Sequence, residues 1–323
     1  ALNTWGSMSK FMGEFQDAGE RFKEGLTIYR ELGYQPGLAD SLSQLTQIAW
    51  LQGRFAEGER LAREAVATAR EAGSRTELAY ALLSQGEALE KVGKFSEAQA
   101  VFQQSLVLYS ELGHRNYITE AHAFLGSVDT HRGRYQEARA QLQRSLELAR
   151  AQGPPYCIGL NLLLLGCLEL SKGAHAMAQQ SLQDSIAAYQ QVGRHLDDLS
   201  WGLAGLAIAA HSMGDTPGAR QHLRRALELA LKSGVVPPLL WALPAMALLL
   251  AGEGEIERAV ELYALASRYP LIAQSRWFAD VAGEHLAAVA ATLPKNQVAF
   301  LQERGRARDL EATAAQLLAE LDG

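Results

Sequence analysis

Eight histidines and two cysteines are the side chains of this 323-residue chain best suited to hold a metal or carry a nucleophilic step. On a helix, metal chemistry of the protease type needs two histidines four apart around a glutamate, because only that spacing puts the ligands on one face. His122 and His131 flank one helical stretch and His211 and His222 straddle a turn, and none forms that arrangement. Cys157 and Cys167 lie ten apart in the apolar run CIGLNLLLLGC, without metal-type spacing, and are read as small buried hydrophobes. Asp197-Asp198 reads as a helix start favoured by the N-terminal dipole. No nucleophile elbow, glycine-rich phosphate loop or Walker lysine motif occurs, so no enzyme, cofactor or metal is expected. Trp50, Trp201, Trp241 and Trp277 suit binding instead, since aromatic anchors concentrate interface energy, although core packing is the favoured role of Trp201 and Trp277.

Charge and hydropathy narrow the partners. A formal net charge of −6 and the lack of a basic run argue against nucleic acid. Arg304, Arg306 and Arg308 are interleaved with Glu303, Asp309 and Glu311 and read as a mixed solvated face. The longest apolar run, LLWALPAMALLLA at 239–251, falls short of the roughly 20 residues a membrane span requires. No signal-peptide pattern opens the chain, so the expected location is the cytoplasm.

The chain repeats itself. GKFSEAQAVFQQSLVLYSELG at 93–113 returns as GRYQEARAQLQRSLELARAQG at 133–153. Gly13, Gly53, Gly93, Gly133 and Gly173 stand 40 residues apart, then Gly214 follows after 41 and Gly254 after 40. A second series, Gly33, Gly73, Gly113, Gly153, Gly193 and Gly234, falls halfway between. Apolar positions such as Phe95, Ala98, Phe102, Leu106 and Tyr109 recur at helical spacing, so each repeat is an antiparallel helix pair with glycine at the helix ends. Pro154-Pro155, Pro237-Pro238 and Asp215-Thr216-Pro217 mark helix starts, and the extra residue of the 41-residue step is expected in the Asp-Thr-Pro turn. One pair leaves its apolar stripe half exposed, so pairs must stack.

These features resemble tetratricopeptide repeats. Leu82, Gln85, Gly86 and Leu89, and again Leu162, Leu165 and Gly166, follow the first-helix pattern of that family; Ala18, Gly58, Ala98, Ala138, Ala178, Ala219 and Ala259 occupy its small second-helix slot. Phe22, Phe102, Leu142, Leu182, Leu223 and Tyr263 fill the large slot four residues on, with Ala62 out of character. The 40-residue period exceeds the family's usual 34, and its second-helix proline is missing. The resemblance implies an all-α fold, a right-handed solenoid of seven helix pairs over residues 1–270 with the first short at its N-terminus, and capping helices over 271–323.

The family's concave-face positions, carried over by register, are Asp40, Ser43, Gln47 and Trp50; Tyr80, Leu83, Glu87 and Glu90; Glu120, Ala123, Ser127 and Thr130; Leu160, Leu163, Cys167 and Leu170; Ser200, Leu203, Ala207 and Ala210; then Trp241, Pro244 and Leu248. They imply a groove for a protein or peptide that changes from acidic to apolar. The apolar part needs a cover, either an external segment or the C-terminal helices folded back. Tyr269-Pro270, Ser275-Arg276-Trp277-Phe278 and Arg304-Gly305-Arg306-Ala307 after such repeats resemble the C-terminal sensor regions of bacterial STAND-type ATPases. That likeness implies a sensor domain of a larger signal-transduction protein, with a stand-alone assembly adaptor as the alternative. In the cap, Phe278, Val281, His285, Leu286 and Val289 are expected on one buried face, covering Leu262 and Leu265. The outer face of the first helix, with Leu2 and Trp5, is expected to support a homodimer.

Overall fold

The computed structural model describes residues 2–11, 13–152, 155–192 and 196–322; the helix-ending glycines expected at 153 and 193, and Pro154, lie outside them. All its regular elements are helical: α1 (Leu2–Phe11), α2 (Phe15–Glu31), α3 (Gln35–Leu51), α4 (Phe55–Glu71), α5 (Arg75–Lys91), α6 (Phe95–Leu112), α7 (Arg115–His131), α8 (Tyr135–Gln152), α9 (Pro155–Leu170), α10 (His175–Val192), α11 (Leu196–Ser212), α12 (Thr216–Ser233), α13 (Pro237–Gly252) and α14 (Ile256–Ala266). Then follow α15 (Pro270–Ala273), α16 (Arg276–Phe278), a π-helical turn over Ala279–Gly283, α17 (Glu284–Ala290), α18 (Lys295–Ala307) and α19 (Leu310–Asp322). The chain divides into two units, one of residues 1–129 with 140–157, the other of 130–139 with 158–323.

Glycine ends these helices for a local reason. After α5, Gly93 takes the left-handed conformation (φ 74°), which lets its N–H reach the Glu90 carbonyl at 3.0 Å and the Lys94 N–H reach that of Leu89 at 2.9 Å. Both bonds satisfy carbonyls that the helix would otherwise leave unpaired. Pro155 and Pro237 open α9 and α13, and Asp215 caps α12 by accepting from the Gly218 N–H at 2.9 Å.

In unit one, α1 to α6 pack each on the next, and α3 also packs on α5; in unit two α10 to α14 do the same, with α11 on α13. The interlock is a small residue facing a large one. A Cβ added to Gly86 would lie 2.3 Å from the Phe102 ring, and one added to Gly166 would lie 2.6 Å from Leu182. The small slot at Ala18, Ala98, Ala138, Ala178, Ala219 and Ala259 is buried, as are Phe22, Phe102, Leu142, Leu182 and Leu223. A buried serine fixes the register of the middle pairs. Ser105 donates to the Ala79 carbonyl at 2.8 Å, Ser145 to that of Thr119 at 2.7 Å and Ser185 to that of Gly159 at 2.7 Å.

This ladder moves the extra residue of the 41-residue step. In the sixth repeat the serine has changed sides, with Ser200 donating to the Ala226 carbonyl at 2.8 Å, so Ser200 is in register with Gly159. At the other end of α11 the Asp215 N–H bonds to Ala210 as the Ala174 N–H bonds to Glu169. The extra residue therefore precedes Ser200, and the Asp-Thr-Pro turn has the same length as its counterparts. Trp201, Ala204 and Ile208 align with Leu160, Leu163 and Cys167, which displaces Ser200, Leu203, Ala207 and Ala210 from the positions expected for them.

The C-terminal helices pack on the last two repeats, α18 on α14 and α19 on α12 and α13. Val260, Ala290 and Leu301 form a shared apolar cluster. The mixed-charge face of α18 is not merely solvated: Glu261, buried on α14, pairs with Arg304 and, at 3.5 Å, with Arg308. A Cβ at Gly305 would stand 2.2 Å from the Glu261 carbonyl oxygen, so the helices approach at a contact only glycine allows. The π turn also changes the expected apolar face. One residue is added to the turn, and the buried set becomes Trp277, Phe278, Ala282, Leu286 and Ala290, while His285 is exposed and Val281 and Val289 are only partly buried.

Candidate functional site

The first helices α1, α3, α5 and α7 carry a polar network on unit one, and its members recur forty residues apart because the repeat does. Lys10 on α1 reaches across to α3, donating to Gln44 Oε1 at 2.7 Å and Gln47 Oε1 at 2.5 Å. Gln47 passes the interaction on, its Nε2 donating to Glu87 Oε2 of α5 at 2.8 Å. Asn3 donates to Asp40 at 2.6 Å and Ser127 donates to Glu90 Oε1 at 2.6 Å. Lys91 sits 3.3 Å from Glu90 and 5.2 Å above the Trp50 ring. Tyr156 donates its hydroxyl to Glu120.

Carboxylates outnumber cations in this network, and burial strips them of water. Desolvation raises the Glu87 pKa to about 7, against the opposing hydrogen bond from Gln47 and the charges of Lys91 and Lys10. It raises Glu120 to about 8, with repulsion from Glu87 in the same direction. Asp40 is pushed up by burial as well, though Asn3 and Gln44 donate to it. Burial lowers Lys10 despite Glu87, Glu120 and Asp40 around it. Such a surface favours a proton or another cation, and a ligand ammonium or guanidinium group meets that need with charge-assisted hydrogen bonds.

On unit two the corresponding positions are apolar, and they are covered by the chain itself. Trp201 and Trp241 stack at 4.2 Å, and Trp241 meets Trp277 at 5.0 Å and Phe278 at 4.7 Å between ring centroids. The Trp277 indole donates to the Cys167 carbonyl at 2.7 Å. His131 is bonded through Nδ1 to Ser275 Oγ at 2.8 Å and stacks on Phe278. Tyr135 donates its hydroxyl to Asp280. The cover of the apolar positions is thus the segment Ser275–Asp280.

The expected groove residues separate accordingly. Gln47, Trp50, Tyr80, Glu87 and Glu90 come together on unit one with Asp40, and Glu120 and Ser127 join them. Ser43 and Leu83 are fully buried, and the Ser43 hydroxyl is turned back to the Ala39 carbonyl at 2.9 Å. Thr130, Leu163, Cys167, Leu170 and Trp241 are buried, and Leu203 is out of register by one. Cys157 and Cys167 are buried thiols whose pKa values burial raises, Cys167 to about 12, which leaves them poor nucleophiles near neutral pH. Among the described residues no group of three or more His, Cys, Asp or Glu side chains is placed to hold a metal ion, and no helix is long and apolar enough to cross a membrane. Sequence reasoning missed Lys10, although stepping back forty residues from Trp50 lands on it. It also missed His131, for which periodicity gives no signal.

Family models described as tetratricopeptide repeat match residues 38–72, 76–151, 117–191 and 200–225, so the chain carries tetratricopeptide repeats over more than half its length. It is a protein-interaction scaffold of the tetratricopeptide type. Its fold is similar to that of a Rap protein complexed with competence and sporulation factor, at 16% identity over 97% of this chain and 84% of that one, with a TM-score of 0.72. It is also similar to NprR in complex with its cognate peptide NprX, at 15% identity over 98% and 85% of the two chains, with a TM-score of 0.60. The apo form of the quorum sensor NprR from B. thuringiensis gives 14% identity, 100% and 86% coverage and a TM-score of 0.58. No curated protein matches the chain significantly in sequence.

Proposed function

We propose that the chain is the ligand-sensing part of a signal-transduction protein, and that unit one takes an extended, positively charged segment of a protein or peptide along Asp40, Gln47, Trp50, Tyr80, Glu87 and Glu120. The observation that carries this proposal is the pair Glu87 and Glu120, two groove carboxyls held well above their ordinary range by burial, with the charge of Glu90 adding to it at Glu87 and that of Glu87 adding to it at Glu120. A cation placed between them restores ionisation and relieves that cost. The fold of NprR, known in complex with its cognate peptide NprX, and that of Rap, known complexed with competence and sporulation factor, support a peptide as the ligand. The finer context is a bacterial, cytoplasmic STAND-type ATPase whose switch domain reads the groove.

Fluorescence anisotropy with labelled ten-residue peptides tests the ligand class. Lysine- and arginine-rich peptides should bind, glutamate-rich ones should not, and Glu87→Gln with Glu120→Gln should weaken binding at least tenfold. Equal affinity for both peptide classes sinks the proposal. For the wider context, ligand added to the full parent protein should change its rate of ATP hydrolysis, and a parent without a nucleotide-binding domain overturns that part alone.

A further inference from the structure

Unit two holds Ser275–Asp280 by a few anchors at its ends and centre, in the manner of a bound peptide. At one end Ser275 bonds to His131 and accepts from the Phe278 N–H at 3.3 Å. At the centre Trp277 and Phe278 fill an aromatic pocket walled by His131, Trp241 and the Cys167 backbone. At the other end Asp280 takes the Tyr135 hydroxyl. Between them Arg276 is exposed, lies over Gly133 and pairs with Asp280 at 2.5 Å and Glu284 at 2.9 Å. Regular helix then gives way to the π turn at Ala279–Gly283, a form that is rare and concentrated at functional sites. The cap is held elsewhere, by Val260, Ala290 and Leu301 and by Glu261 with Arg304 and Arg308. None of those contacts involves Ser275–Asp280.

We propose that the aromatic pocket of unit two is an exchangeable docking site, that Ser275–Asp280 is its internal occupant, and that its external ligand is a protein segment carrying two adjacent aromatic residues with an acid two residues further on. The chain's own Trp277-Phe278-Ala279-Asp280 is the template for that chemistry. Two flat side chains bury a large apolar area at low entropic cost, an indole N–H finds the Cys167 carbonyl, and the acid finds Tyr135. The proposal rests on the groove face being where this scaffold binds its ligands, but it names a different unit and a different ligand from the cationic segment of unit one.

The test uses the full chain and a labelled synthetic peptide, PLIAQSRWFADVAG, corresponding to residues 270–283. Trp277→Ala with Phe278→Ala empties the pocket, and this variant should bind the peptide at least tenfold more tightly than the wild type does, while a peptide with both aromatics replaced by alanine should not bind. Equal binding by variant and wild type, or none by a variant that keeps its helical circular dichroism, overturns the proposal. Should the variant not fold, hydrogen exchange on the wild type decides. Amides at 275–283 should exchange at least tenfold faster than those of α14 and α18, and exchange only together with those helices marks the segment as fixed core and overturns it. A basic peptide run on the same variant separates the two ideas. Its loss alone counts against the unit-one reading, and its retention without binding of the aromatic peptide counts against the docking site.

Discussion

The groove positions of the two units are built by the same repeat yet end in opposite states, one polar and charged, the other apolar and filled. Gln47, Glu87 and Ser127 stand where Cys167, Ile208 and Leu248 stand in unit two. The backbone places each side chain by the same forty-residue step, apart from the single insertion before Ser200, so chemistry alone makes the difference. Buried carboxyls such as Glu87 cannot accept an apolar cover, since each would lose water without gaining a partner. A stack of Trp201 on Trp241 cannot stay bare, because each indole exposes a large apolar area worth roughly 25 cal/mol per Å² on burial. One face therefore keeps its carboxyls free of an apolar cover, and the other takes a piece of its own chain.

The most severe way to break this comparison is to remove the cover. Trp277 is fully buried and its indole N–H is satisfied, so Trp277→Ala leaves a cavity and an orphaned pocket, a loss of about 3–5 kcal/mol for a large aromatic core residue. Trp50, partly exposed on unit one, should lose about 1 kcal/mol on the same change. Calorimetric melting of the two variants gives the ratio, and equal losses would mean that the two faces are not different in kind.

The next effect is on pH dependence and belongs to unit one. Glu87 and Glu120 have folded pKa values near 7 and 8, above the ordinary 4.5, so between these limits the folded state holds more protons than the unfolded state. With that sign their contribution to stability is fully present below about pH 4.5 and is lost as pH rises towards 8. For Glu87 the change from pH 5 to pH 8 is about 2 kcal/mol, at 1.36 kcal/mol per pKa unit. Glu87→Gln keeps an acceptor for Gln47 and should flatten the denaturation midpoint against pH, whereas Trp277→Ala should retain the full slope at lower stability. A Glu87→Gln protein with the wild-type slope would place the titration elsewhere.

How far the sequence foretold these features depends on whether they are periodic. Glycines such as Gly93, the small slot at Ala98 and the large slot at Phe102 recur by translation, and all three types take the places that translation assigns them. The polar groove was legible for the same reason, because Glu87 follows Gln47 by one period. Single events were not legible. The insertion before Ser200 shifted Leu203 off its face, and the Ser200 bond to Ala226 together with the Asp215 bond to Ala210 shows where it lies. The π turn moved burial from Val281 to Ala282, because i to i+4 spacing assumes an unbroken helix. The seating of Trp277 against Cys167 joins residues 110 apart, a contact that no local pattern encodes, although the apolar stretch it covers had already shown that a cover was needed.

The smallest expected effect concerns the outer helices of the two units. In unit two the last repeat is covered by α18 and α19, with Arg258 paired to Glu320 and Arg224 to Asp322 at 3.3 Å. In unit one α1 leaves Trp5 and Met8 largely exposed, with Arg21 lying 4.4 Å over the Trp5 ring; the side chain of Leu2, expected beside them, lies outside the described residues. An exposed indole with an apolar neighbour is a self-complementary patch, and a second copy related by twofold symmetry buries it on both sides at once. Trp5→Glu with Met8→Lys puts opposite charges on that patch and touches no buried contact, so folding stability should change by no more than about 0.5 kcal/mol. Sedimentation equilibrium should show the wild type self-associating and the variant monomeric. A dimer that survives the substitutions would move the self-association to another surface and leave Trp5 and Met8 as solvated residues only.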